Sequence, residues 1–166
     1  MEILAVVIIF FIVFAAFLYL FKDKIKQAQE RLPFKRREFL MNIPERKFFE
    51  GLHKIVPENY AVFPQVVLSN IVDVTAPKKE AMGWRNKINR KTIDFVLFEK
   101  PYYKPVLAIE YDGKTHNSPR RVKRDEEVEK ILNSAGINIF HVKHDKNIDL
   151  EQVKNKIEEN LSKEDS

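Results

Sequence analysis

Thr92-Ile93-Asp94-Phe95-Val96-Leu97-Phe98 and Val106-Leu107-Ala108-Ile109-Glu110-Tyr111-Asp112-Gly113 are two strand-like runs, joined by Glu99-Lys100-Pro101-Tyr102-Tyr103-Lys104-Pro105. β-Branched and aromatic residues bounded by proline and glycine read as the two arms of a hairpin. Acidic residues interrupt both arms. An unpaired charge on a buried strand is costly, so Asp94, Glu110 and Asp112 must hold a cation, pair with basic groups or lie at an open edge. Centring the turn on Tyr102 sets Asp94 across from Glu110. Strand alternation then puts Glu110 and Asp112 on one face and Ile109 and Tyr111 on the other. Opposed like charges repel, and a hard divalent cation is the simplest remedy. Mg²⁺ or Mn²⁺ suits carboxylates, one backbone carbonyl and waters. Such an ion lowers the pKa of a bound water and neutralises charge on a phosphate in transfer, which is what phosphodiester hydrolysis needs.

Upstream of the hairpin, Asn42-Ile43-Pro44-Glu45 has the form of a helix start, with Phe48, Phe49, Leu52, Ile55 and Val56 at helical spacing until Pro57. Residues 60–74 are rich in strand formers, and Pro64 argues for a strand start or an edge position. Residues 77–91 are polar and basic and read as a loop or short helix. Downstream, Ser118-Pro119 opens a helix that continues to Ala135 and stops at Gly136. Residues 137–142 form a short strand, and Asp149 caps a final amphipathic helix through Leu161. The predicted order is αβββαβα. A helix between the second hairpin arm and the strand at 137–142 implies a parallel crossover, hence an α/β sandwich with a mixed sheet.

Residues 3–21 contain no charged side chain and are rich in Ile, Val, Phe and Leu. That length suffices to cross a bilayer. Glu2 opens the chain and Leu18-Tyr19-Leu20-Phe21 leads straight into charge, so the segment reads as an uncleaved anchor rather than a signal peptide. Lys22, Lys24, Lys26, Arg31, Lys35, Arg36 and Arg37 follow, and the positive-inside rule puts the remainder in the cytoplasm with the amino terminus outside. The same cations would also attract anionic lipid. The expected division is an anchor at 1–21, a basic linker at 22–41 and one domain at 42–166. A domain of about 130 residues holds one core. A net charge of +5 permits a polyanionic partner, and the absence of cysteine excludes disulfides and thiolate metal sites.

An initiating helix with Glu50, Asp94 on one strand, Glu110-Tyr111-Asp112-Gly113 with His116 shortly after, and a basic helix carrying Asp125 together resemble the PD-(D/E)xK nuclease superfamily. The Glu-x-Asp-Gly-x-x-His run is most similar to the very-short-patch-repair endonuclease-like branch and to domain of unknown function 2726. The resemblance spans about residues 45–142. It implies a restriction endonuclease-like fold, metal ligation by Asp94 and Glu110, a carbonyl ligand from Tyr111, and Glu50 in support. The chain departs from the pattern at Asp112, where the superfamily has lysine. Either Asp112 serves a second metal while Lys91, Lys114 or Lys123 supplies the positive charge, or catalysis has been lost.

Each residue has a structural alternative. Asp94 can cap a strand start, Asp112 before Gly113 can form a turn, Glu50 can face solvent, and His116 can bond the backbone instead of acting as base or phosphate contact. His141 and His144 read as strand-end and loop residues. Arg85, Lys87, Arg90 and Lys91 before or within the hairpin, and Lys114, Arg120, Arg121 and Arg124 after it, are candidate phosphate contacts, with Trp84 or Tyr111 available to stack on a base. Three functions compete: a membrane-anchored metal-dependent nuclease, a non-catalytic relative binding nucleic acid or a protein, and a membrane-tethered scaffold. Neither the sugar nor the strandedness of a nucleic-acid substrate follows from these residues.

Overall fold

A computed structural model describes residues 2–29, 32–112, 119–145 and 147–162, the side chains of residues 2, 23–29 and 119–121 excepted. The chain divides into two compact units, residues 1–38 and 39–166. The first contains α1 (Glu2–Gln29). Within α1, Ile3–Lys22 has a mean hydropathy of 3.2 and none of it is buried. A helix of that length and composition can span a hydrocarbon core.

The second unit runs α2 (Ile43–Ile55), β1 (Tyr60–Val67), a 3₁₀ turn (Leu68–Asn70), α3 (Lys78–Ile88), β2 (Thr92–Glu99), β3 (Lys104–Asp112), α4 (Pro119–Ser134), β4 (Asn138–Lys143) and α5 (Leu150–Ser162). It is an α/β domain on a four-stranded mixed sheet ordered β1-β2-β3-β4. β1 and β2, and β2 and β3, pair antiparallel; β3 and β4 pair parallel across the α4 crossover, as expected. The basic segment before the hairpin resolves as α3, and the first strand stops at Val67, short of residue 74. Met41, at the end of the expected linker, packs against the core.

Local chemistry accounts for the ends of the elements. Asn42 and Glu45 close a capping box on α2: Asn42 Oδ1 accepts from the Glu45 N–H at 2.9 Å, and Glu45 Oε2 accepts from the Asn42 N–H at 3.0 Å. Gly136, with φ +75°, takes the left-handed position after α4 that a Cβ would disfavour.

Two clusters cover the two sheet faces. Phe48 and Leu52 of α2 and Val153 and Ile157 of α5 pack on Phe95, Leu97, Ile109 and Tyr111. Ile88 of α3 and Val128 and Leu132 of α4 pack on Ile93, Val96 and Ala108. Burying a Leu or Ile side chain contributes roughly 1.5–3 kcal/mol, so these layers hold the sheet between helices. β1 lies at an edge, which is where Pro64 is tolerated. Next to it Gln65 has φ 53°, a left-handed conformation uncommon outside glycine. Alternation breaks there: Val62 belongs to the first cluster, while Val66 and its partner Ile93 belong to the second.

Candidate functional site

The site begins where the β2–β3 ladder stops. Phe95 pairs with Ile109, so the next positions outward are Asp94 and Glu110, the juxtaposition expected from the hairpin. Beyond Phe95 the Tyr111 N–H donates to Asp94 Oδ2 at 2.9 Å. On the other side, Gln65 stands across β1 from Asp94, and its Nε2 donates to Asp94 Oδ1 at 3.4 Å. Groups on the two strands flanking β2 therefore fix this carboxylate. Glu110 follows Ala108 on the face covered by α4, and burial pushes its carboxyl up to about 9, with the charge of Asp94 and a hydrogen bond to Asp94 adding to the effect. Arg124 works in the opposite direction and Asp125 adds to the rise. At neutral pH Glu110 thus keeps its proton.

A cavity of about 480 Å³ opens over this pair, lined by Asp94, Glu110 and Asp112, by Arg124 and Asp125 of α4, and by His141 of β4. The capping-box residues Asn42 and Glu45 close it at the α2 end. Asp112 turns to β4, its Oδ2 lying 3.0 Å from His141 Nδ1. Tyr111 also lines the cavity, but its ring stacks on Phe48 with centroids 4.8 Å apart and its hydroxyl shares a 2.6 Å hydrogen bond with His144 Nδ1. Burial, then Glu45 and Asp145, raise the Tyr111 phenol above its ordinary pKa.

Residues 37–161 match the family model DUF2726, described as a protein of unknown function. The chain belongs to the DUF2726 family. The match spans the whole of the second unit's sheet and leaves α1 outside it. No curated protein and no solved structure matches the chain.

The DUF2726 domain gathers Asp94, Glu110, Tyr111, Asp112, Arg124 and Asp125 around one cavity and sends other candidates elsewhere. Glu50 is solvated and forms an i,i+4 pair with Arg46 at 3.9 Å. Phe48 and Leu52 point α2 at the core, which turns Glu50 outward; Glu45 is the acid of this helix that lines the cavity. Lys91 is buried and bonded to Glu127 of α4, while Lys87 pairs with the same carboxylate at 3.5 Å. These bonds, that from Lys91 foremost, hold Glu127 below the usual carboxylate range. Lys91 therefore does not offset the charge at Asp94. Lys123 is exposed, as are Arg85 and Arg90, and none of the three lines the cavity. Tyr111, at 8% exposure, is a core residue and not a stacking platform; Trp84 is 44% exposed, with the Lys87 ammonium 4.2 Å from its ring centre. Lys114 and His116 lie outside the described residues, and Arg120 and Arg121 have no described side chains. Among the described residues, no three His, Asp or Glu side chains form a group that holds a metal ion. Asp94 and Glu110 remain as a carboxylate pair, with Asp112 drawn aside by His141.

Gln65 was not singled out by the chain's local patterns, Glu45 was read only as part of a helix start, and His141 and His144 only as strand-end and loop residues; the last three line the cavity. Alternation along residues 137–142 places Ile139 and His141 on a common face, but only the β3–β4 register, Glu110 beside His141, brings that face to the acids.

Proposed function

We propose that this protein is a membrane-anchored phosphodiesterase of DNA or RNA that depends on Mg²⁺ or Mn²⁺ held by Asp94 and Glu110. The carrying observation is the opposed, partly buried carboxylate pair, whose repulsion and desolvation favour a retained proton on Glu110 until a cation replaces it. Mg²⁺ keeps several waters and binds through one or two carboxylates plus phosphate oxygens, so a two-carboxylate set fits it without a cage of protein ligands. When bound, the ion neutralises charge on the phosphate and makes a coordinated water more acidic. Gln65 and the Tyr111 N–H hold Asp94 in orientation, and Arg124 offers a guanidinium to phosphate oxygens at the same cavity.

The order of elements in the domain, with Asp94 and Glu110 on adjacent hairpin strands, supports a PD-(D/E)xK, very-short-patch-repair-like reading. A second reading, a nuclease-fold module that binds nucleic acid or a protein without cutting, draws on Asp112, which stands in the lysine position and is bonded to His141. The Ile3–Lys22 span supports a single-pass anchor, and Lys22 at its end with Lys35, Arg36 and Arg37 after it supports a cytoplasmic domain.

The full chain in detergent micelles is assayed on single- and double-stranded DNA and RNA with Mg²⁺, Mn²⁺ or chelator. Cleavage that needs the ion and falls at least about 100-fold in Asp94→Asn and Glu110→Gln supports the enzyme. Salt-sensitive binding with no cleavage supports the module. Cleavage equal in wild type and variants overturns the assignment of the site.

A further inference from the structure

The Asp112–His141 pair sits in the same cavity as the acids yet takes no part in holding them together. The parallel register sets His141 beside Glu110, and the two-residue period puts its side chain on the α4 face with Ile139. Asp112 Oδ2 lies 3.0 Å from Nδ1. That contact occupies Nδ1 and leaves Nε2 as the ring nitrogen free to serve the cavity that His141 lines. Of the other acceptors at the cavity, Asp94 is engaged by Gln65 and the Tyr111 N–H, Glu45 by its capping box and His144 Nδ1 by the Tyr111 hydroxyl; Asp125 lines the cavity too, but His141 is the imidazole paired with a carboxylate there. The His141 and Asp112 side chains are 35% and 30% exposed, which leaves solvent a path to carry a proton away.

We propose that His141, oriented by Asp112, is the proton acceptor for the attacking water; the assignment rests on the phosphodiesterase reading above. As the water oxygen bonds to phosphorus, its proton passes to His141 Nε2. The bond from phosphorus to the leaving sugar oxygen breaks, that oxygen takes a proton from solvent, and His141 later returns its own proton to solvent. Products are a phosphomonoester end and a hydroxyl end. Asp112 is then a positioning residue that fixes the tautomer, as carboxylates beside functional histidines do.

The test combines kinetics, ion binding and NMR on the full chain in detergent micelles. His141→Ala is expected to lower kcat by about 10²–10⁴-fold, with KM and Mn²⁺ affinity within twofold of wild type, and added imidazole is expected to restore turnover. Asp112→Asn is expected to lower kcat while leaving Mn²⁺ affinity unchanged. With four histidines in the chain, a long-range ¹H–¹⁵N spectrum resolves each ring. It is expected to show His141 with its proton on Nδ1 in wild type and a redistributed proton in Asp112→Asn. An Nε2–H tautomer in wild type overturns the proposal whether or not the protein is active. So does full activity in His141→Ala, or in His141→Gln should the alanine variant not fold. A tenfold loss of Mn²⁺ affinity in Asp112→Asn or His141→Ala also overturns it, since the pair would then belong to the cation site. Wild-type protein that binds Mn²⁺ but cuts no phosphodiester sinks the phosphodiesterase reading, and this assignment with it.

Discussion

A carboxyl group that keeps its proton up to about 9, as Glu110 does through burial beside Asp94, ties stability to pH in the direction opposite to most acids. Its folded-state pKa lies above the ordinary 4.5, so the stability it contributes is complete below that value and is lost as pH rises through about 9. In chelator, Glu110→Gln should therefore gain on wild type in thermal denaturation across this window; a wild type that gained on the variant would show that the proton is not held. The same proton must leave when an ion binds, so Mn²⁺ affinity should rise with pH over that range, with proton release visible by calorimetry in buffers of different ionisation enthalpy. Asp94 and Glu110 were legible because acids in apolar strands stand out and hairpin register is simple arithmetic. Glu50 was not, because its helix could be phased only approximately; with Phe48 and Leu52 inward, Glu50→Ala should leave both cleavage and stability nearly unchanged, as an exposed pair contributes little. Glu45→Ala, which opens the capping box, should cost on the order of 1 kcal/mol in denaturant unfolding.

Among the elements, the edge position of β1 was readable from Pro64, and the helix starts from Asn42 and Asp149, since these depend on local backbone chemistry. What was not readable depends on pairing. The face switch at Gln65 and the approach of His141 to Asp112 arise from strands brought together across the sheet. Lys91 belongs here too: the basic run read as a phosphate-tracking surface, yet α4 supplies Glu127 and draws Lys91 into an ion pair under low exposure. Arg124, on the same helix, faces the acids instead. Arg124→Ala should reduce the slope of log affinity against log salt for nucleic acid by about one, whereas Lys91→Met should leave that slope unchanged and destabilise the domain. Leu52→Ala, at 0% exposure in the α2 layer, should cost about 2–5 kcal/mol with no change in that slope.

For the whole molecule, the uncharged run of residues 3–21 stood apart from the charged remainder by composition alone, and in the structure Ile3–Lys22 is helical with none of it buried. The chain has no cysteine, so Lys54→Cys on the exposed side of α2 is a unique reporter of sidedness. In inside-out membrane vesicles it should react with an impermeant maleimide, and in right-side-out vesicles it should not; the reverse pattern would overturn the proposed orientation. The central claim, a divalent cation on Asp94 and Glu110, is tested most directly by Mn²⁺ binding to the detergent-solubilised full chain, followed by electron paramagnetic resonance. One bound ion per chain, weakened at least about 10-fold by Asp94→Asn and by Glu110→Gln, is the predicted result. Absence of binding to wild type, or affinity that both substitutions leave intact, would contradict it.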